Sequence, residues 1–440
     1  MALVASPLPE RLIMILVFIF VLFFALALAG LPVVWSILGT TVLTIFAFGL
    51  SHPLETIFLT YIGGVEPFIL IAVPLFIVAG ELFSRGGVGE RIIRFARSLF
   101  CALPGGLGIV TVASCLLFGG VSGSAIAGAA AIGSVMIPAL SKQGYSPAFA
   151  SALIAAAGTL AIIMPPSIPL LVYGYVSGAS VRDLFLSGIV PAVLFGIGLM
   201  LVCVWYGIST GCDRGEKRAS ASEIWASFKD AFPALLMPAI ILGGIWTGFF
   251  TPTESAVVAV AYGLVVAMFW YRSIGWSDLP SILHSAFLTS AVVMAVVGAT
   301  AALAWIITVE QVPMVMTDWV KTVATNGWTF FLLINIFLLF LGIFLEPLPA
   351  LVLTAPLFVP LAATYGIDPV HLGLVMTCNL AIGLYTPPVG GTLFVAAKIG
   401  QVGMGAISRA LIPLFVVSVL VLLLITYVPA LPMSMVWLLR

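Results

Sequence analysis

Shifted by 222 residues with no gap, the chain falls on itself. Residues 116–193 align with 338–415, and the residues that coincide are helix breakers. Gly120, Gly144 and Gly178 meet Gly342, Gly366 and Gly400. Pro138, Pro147, Pro165, Pro166 and Pro191 meet Pro360, Pro369, Pro387, Pro388 and Pro413. Five of the six prolines in the first window recur in the second. Apolar sequence matches itself by chance, but rare helix breakers in one register seldom do, so the chain carries an internal structural repeat. The repeat sets a proline pair in the middle of an apolar stretch twice, in "IIMPPSIP" (162–169) and in "LYTPPVGG" (384–391). Any fold for this chain must tolerate a backbone opened at two equivalent points.

The surroundings of those openings are membrane-like. Hydrophobic residues make up 62% of the 440 and charged residues 7%, where a soluble domain carries about a quarter charged. Apolar segments fall at 11–30, 31–50, 67–83, 107–140, 147–180, 185–208, 232–250, 254–271, 283–309, 328–364, 370–402 and 407–428. Several exceed the ~18 residues that mark a spanning helix. The expected class is therefore an all-α, polytopic membrane protein. The run at 12–29 reads as a retained helix, not a signal peptide. Formal net charge is zero, with no basic patch interleaved with aromatics, which argues against nucleic acid. The five cysteines and three histidines show no metal spacing, and there is no phosphate-binding loop.

Each copy has the same parts. An apolar run of hairpin length is interrupted near its middle, in "FGGVSGSAIAG" (118–128) and "GIFLEPLPAL" (342–351). It is too long for one helix across ~30 Å and reads as a re-entrant hairpin. A short polar turn follows, then a helix broken at Pro-Pro. Topology suggests that the copies are inverted. The stretch 84–98 reads as a loop, carries Arg85, Arg91, Arg94 and Arg97 against Glu90 and belongs on the cytoplasmic side. Five crossings then separate the hairpins, at 147–180, 185–208, 232–250, 254–271 and 283–309, provided that the short turn at 251–253 joins two full crossings. The expected division is 1–98 scaffold, 99–208 first repeat, 209–230 polar cytoplasmic linker, 231–327 scaffold and 328–440 second repeat. Charge reversal in the linker is expected to matter little.

A Pro-Pro pair removes backbone donors and blocks helix bonding by the preceding carbonyls. In lipid such groups are tolerated only where protein or a polar cavity satisfies them. Freed carbonyls suit a hard cation, and half-helix N-termini suit an anion. Two such breaks facing two hairpin tips make an ion-coupled transporter site. Candidate ligands are Pro165, Pro166 and Ser167 at the first break and Thr386, Pro387, Pro388, Gly390, Gly391 and Thr392 at the second. Ser122, Gly123 and Ser124 form the first tip. Glu346, with Pro347 and Pro349, marks the second, and an ionisable group at membrane depth points to function. Asn379 is either a ligand or a partner for a neighbouring helix. Ser122, Ser124, Glu346 and Thr386 offer side-chain oxygens to such a cation.

The blocks "SGSAIAGAAAIGSVMIPAL", "GYSPAFASALIAAAGTLAIIMPPSIPLLVYG", "FLEPLPALVLTAPLFVPLA" and "YGIDPVHLGLVMTCNLAIGLYTPPVGGTLFVAA" resemble the large membrane (M) subunit of tripartite ATP-independent periplasmic (TRAP) transporters. The resemblance runs over essentially the whole chain. It implies import of a small organic acid, such as a C4-dicarboxylate or sialic acid, across the bacterial inner membrane, driven by sodium. It implies a periplasmic binding protein, a small four-helix Q subunit, and a transport domain that moves as an elevator. The family's sodium sites, carried over, fall on Ser122, Gly123 and Ser124 with the Pro165-Pro166-Ser167 break, and on Glu346, Pro347 and Pro349 with the Thr386-Pro387-Pro388 break. Many relatives carry Asp at the second tip where this chain has Glu346, and Gly128 stands where a polar residue is common. No Q-like region precedes residue 10, so a separate small subunit is expected. The alternative is a stand-alone ion-coupled carboxylate transporter. A hydrolytic intramembrane enzyme lacks its nucleophile, acid pair or metal frame, and a channel fits opposed hairpins less well than alternating access does.

Overall fold

The computed structural model describes residues 8–213, 215 and 217–439. Residues 1–7 of the expected scaffold segment, Arg214 and Glu216 of the expected linker, and Arg440 of the second repeat lie outside the described residues. Within them the chain is helical, with no β-strand. The first half contains α1 (Leu8–Leu28), α2 (Val33–Phe48), α3 (Leu54–Gly63), α4 (Ala72–Arg85), α5 (Val88–Phe100), α6 (Gly106–Ser122), α7 (Ala125–Lys142), α8 (Pro147–Gly158), α9 (Leu160–Ile163), α10 (Ile168–Ser177) and α11 (Val181–Thr210). The second contains α12 (Ala221–Trp246), α13 (Pro252–Leu264, extended by a π-helical turn to Trp270), α14 (Leu279–Val309), α15 (Val312–Val323), α16 (Gly327–Phe344), α17 (Pro347–Ala363), α18 (Pro369–Gly383), α19 (Gly391–Gly400), α20 (Met404–Tyr427) and α21 (Ala430–Leu438).

The repeat is larger than the proline register suggested. Adding 222 to α6 and α7 gives 328–344 and 347–364, the bounds of α16 and α17 to within a residue. The same shift carries α2 to 255–270, inside α13 and its π turn, and α5 to 310–322, on α15. It carries the break at 164–167 to 386–389 and α10 to 390–399, on α19. The peptide bonds Pro165–Pro166 and Pro387–Pro388 are both cis. Packing follows the same symmetry: α10 lies on α17, and its counterpart α19 lies on α7. Each broken helix thus sends its second half onto the opposite copy's hairpin.

Local chemistry starts these elements alike in both copies. Ser146 caps α8 by accepting from the Phe149 N–H at 3.2 Å, and Asp368 caps α18 by accepting from the Val370 N–H at 2.7 Å. Pro147 and Pro369 hold the first helical position, where proline's missing donor costs nothing. Thr251 and Glu254 form a reciprocal capping box at the start of α13, so 232–271 is two helices, each long and apolar enough to cross a membrane.

Tertiary contacts agree with the expected five crossings. Arg85 with Ser281, Arg91 and Arg94 with Asp230, and Ser273 with the Gly86 carbonyl all join residues assigned to the basic face. His52 with Glu310, Tyr175 with the Gly64 carbonyl, and Arg182 with the Leu439 carbonyl join residues assigned to the opposite face. The basic stretch 84–98 is not a loop. It is mostly α5, an amphipathic helix that buries Val88, Ile92, Ile93 and Ala96. Its polar side is tied down by Asp230, while Arg91 also lies 3.8 Å over the Tyr271 ring. Of the expected linker, 209–210 end α11 and 221–230 begin α12.

Candidate functional site

Both hairpins turn inside the protein. In the first, Ser122 ends α6, Gly123 adopts φ +60°, and Ser124 caps α7 by accepting from the Ala127 N–H at 3.4 Å. Glycine is required at the turn by conformation and by space. A Cβ on Gly123 would lie 3.0 Å from the Pro166 carbonyl oxygen, so the tip rests against the first break. Behind it, a Cβ on Gly119 would lie 2.7 Å from the Ala161 Cα. The second hairpin turns without glycine. Leu345 is extended, Glu346 occupies the cap position of α17, and Pro347 and Pro349 fall in its first turn. Under the repeat Glu346 is the counterpart of Ser124. Here Gly342 and Gly383 supply the equivalent close crossing, since a Cβ on Gly383 would lie 2.5 Å from Gly342. Small residues let membrane helices meet backbone to backbone.

The breaks leave oxygen atoms open. At the first, Ser167 turns its hydroxyl back, donating to the Ile162 carbonyl at 2.5 Å and accepting from the Leu170 N–H at 3.4 Å. Among the described residues no hydrogen bond reaches the carbonyl oxygens of Pro165 and Pro166. At the second, Thr386 donates to the Ile382 carbonyl at 2.7 Å and Thr392 to the Leu384 carbonyl at 3.1 Å, and the carbonyls of Thr386, Pro387 and Pro388 have no donor among the described residues. Hydroxyls satisfy the nearest helix carbonyls, and the remaining ones still need a partner, because irregular backbone at membrane depth must be satisfied by protein or by a polar cavity.

The two tips share one cavity of about 550 Å³. Ser122, Gly123, Ser124, Glu346 and Pro347 all line it. So do Ala125, Ile168 and Pro347, the first residues of α7, α10 and α17, so three helix N-termini face one space. Their partial positive charge favours an anion. The Ser122 hydroxyl is buried and has no hydrogen-bond partner. Glu346 is exposed into the cavity, with no ion pair among the described residues. No Lys, Arg or His lines the space.

Other expected ligands stand further out. Pro165, Pro166 and Ser167 lie behind the first tip and not in the cavity lining. Pro349 lines a neighbouring, mostly apolar crevice of about 820 Å³ that meets the cavity at Glu346 and Leu348. Of the second break only the flanking Leu384 reaches the cavity; Thr386, Pro387, Pro388, Gly390 and Thr392 do not. Gly391 packs between Leu384 and Ile126 of the first hairpin. Asn379 is drawn into a buried ladder, donating to Asn335 and to the Val375 carbonyl at 2.8 Å each, while Asn335 donates to Thr426 at 3.3 Å. Its own amide oxygen stays unpartnered.

Sequence reasoning missed the far wall. Gly80, Glu81 and Ser84 of α4 and Thr289 and Val292 of α14 close the cavity. Glu81 pairs with Arg85 at 3.4 Å and accepts from Ser285 at 3.3 Å. The available signal was an acid and a base four residues apart at the end of an apolar helix. Gly80 is needed there, because a Cβ would lie 2.7 Å from the Ser122 carbonyl oxygen.

A family model described as "Tripartite ATP-independent periplasmic transporter, DctM component" matches residues 20–431. The C4-dicarboxylate TRAP transporter large permease protein DctM of Pseudomonas aeruginosa is 39% identical over 84% of this chain and 86% of its own length. The sialic acid TRAP transporter large permease protein SiaM of Vibrio cholerae is 40% identical over 84% of this chain and 86% of its own. The crystal structure of the Alcanivorax borkumensis YdaH transporter superposes with a TM-score of 0.58, covering 84% of this chain and 88% of that one at 15% identity, a likeness of fold.

Proposed function

The chain belongs to the DctM-component family of tripartite ATP-independent periplasmic transporters, and on that premise we propose that it imports a small organic acid across the bacterial inner membrane, driven by a sodium gradient. The family is a transporter component, not an enzyme. In this reading a periplasmic binding protein delivers the acid and a small four-helix membrane subunit braces the chain. One observation carries it: both hairpin tips meet in a single cavity that combines helix N-termini with hydroxyl and carboxylate oxygens. The N-termini receive the substrate's carboxylate. Ser122, Ser124 and Glu346, with the open carbonyls of the Pro165-Pro166 and Pro387-Pro388 breaks, hold sodium, and Thr386 contributes at the second break. The names of the relatives point to the carboxylate class, since both C4-dicarboxylates and sialic acid carry it.

The division into a scaffold (1–98 and 231–327) and a moving unit (99–208 and 328–440), joined through 209–230, suits an elevator motion in which α4 and α14 supply the wall that the tips slide past. The test is thermal. The melting temperature of the full chain is recorded against sodium with choline holding ionic strength constant, because a ligand that binds only the folded state stabilises by RT ln(1 + [L]/Kd). A saturating, sodium-specific rise is the expected result. A flat response together with sodium-independent uptake in the reconstituted three-part system would sink the sodium assignment.

A further inference from the structure

The foot of the first hairpin is held by a residue from the linker. α11 ends at Thr210, Gly211 turns the chain at φ +69°, and Asp213 then enters the protein with φ +47°. That backbone angle is uncommon for a residue other than glycine. Asp213 is buried. One carboxylate oxygen accepts from the Leu107 N–H at 2.7 Å, in the first turn of α6, and from the Tyr145 hydroxyl at 3.0 Å, in the turn between α7 and α8. Its carbonyl accepts from the Gly105 N–H at 3.0 Å. Burial and the neighbouring carboxylate push the Tyr145 phenol above its ordinary range, so it remains a donor.

Glycines make the socket. A Cβ on Gly105 would lie 2.4 Å from the Cys203 carbonyl oxygen, one on Gly207 would lie 2.7 Å from the Gly105 nitrogen, and one on Gly108 would lie 2.8 Å from Cys203. The foot of α6 is therefore seated directly on α11, and Asp213 closes it with charge-assisted bonds to a helix N-terminus.

The far end of the same helix is the tip. α6 runs from Gly106 to Ser122, and at 1.5 Å per residue it is a lever of about 25 Å, so a tilt of about 5° at the foot moves the tip by about 2 Å. Binding geometry tolerates only about 0.5 Å. The geometry points to Asp213 as a positioning residue that acts through α6 on the first hairpin tip. This inference rests on the transport reading for its kinetic consequence, but its structural part stands apart from it.

The test compares Asp213→Ala, the milder Asp213→Asn and Tyr145→Phe with the unaltered chain by two measurements. Amide hydrogen exchange on the full chain is expected to quicken by about tenfold in Asp213→Ala, both at residues 107–109 and at the tip, 121–125, with smaller effects in the other two variants. Uptake in the reconstituted three-part system is expected to need about fivefold more sodium for half-saturation while the maximal rate stays within about twofold. Tip exchange that is unchanged in all three variants overturns the inference. So does a fall in melting temperature and maximal rate with half-saturation unmoved, which is the mark of a merely structural bond. If the unaltered chain shows no sodium-dependent uptake, the transport reading fails, and the exchange measurement still decides the role of Asp213.

Discussion

Ser122 and Glu346 are the residues on which the transport reading can be tried first. Replacing Ser122 by Ala, or Glu346 by Gln, is expected to shrink the sodium-induced rise in melting temperature, with a tenfold loss of affinity corresponding to about 1.4 kcal/mol. A full rise in both variants would remove the first tip and the carboxylate from the ion site. Gly383 tests the packing beneath it. Gly383→Ala places a methyl group 2.5 Å from Gly342 and is expected to lower stability by about 1–3 kcal/mol, read as a lower melting temperature. The tip residues were legible because serines and glycine flank a break, and Glu346 because an acid is rare at membrane depth. Asp213 was not. In sequence it is one polar residue in "STGCDRGEKR", and nothing local says that its carboxylate is buried over 100 residues away from its origin, against Leu107. The expectation that linker charges matter little therefore meets two bonded aspartates, Asp213 and Asp230, each fixing a different helix.

At the scale of elements, the broken helices make the sharpest prediction. Changing Pro165-Pro166 or Pro387-Pro388 to alanines restores donors and helical geometry, closing the carbonyls that the breaks leave open. Sodium-driven uptake is expected to fall by more than about tenfold, while membrane insertion, read by protease protection, is preserved. Normal uptake by either variant would show that the breaks serve packing alone. Hairpins and breaks could be read from sequence because length, proline and glycine announce them. Short amphipathic pieces could not. α5 reads as a basic loop until Ile92, Ile93 and Ala96 are seen buried. α3 and α15 are too short, at 10 and 12 residues, to stand out against the apolar runs around them. Their helicity comes from tertiary packing, as is usual for helices of this length.

For the whole molecule, the two halves meet face to face, and the clasp on the side opposite the arginines is His52 with Glu310 at 2.8 Å, the His52 ring lying edge-on to Trp305. A double-mutant cycle of His52→Ala and Glu310→Ala is expected to give a coupling of about 0.5–1 kcal/mol, modest because both side chains remain partly exposed; additive effects would show that this pair contributes nothing to holding the halves together. The proline register revealed the repeat only between 116 and 193, because outside that window the copies keep their helices and not their helix breakers. The structure extends it outwards to α2 with α13 and to α5 with α15. With the hairpins α6–α7 and α16–α17 left out, and the 16-residue α2 and the second broken helix counted beside the helices long and apolar enough to cross, each half offers five crossings: α1, α2, α4, the broken helix and α11, against α12, α13, α14, the second broken helix and α20. An odd number of crossings leaves the end of a half on the side opposite its beginning. Two such halves joined head to tail by ten residues must therefore sit upside down to one another, with no connecting helix needed. A single half would be free to insert either way up. The arginines at 85–97, absent from the matching stretch of the second half, bias that choice.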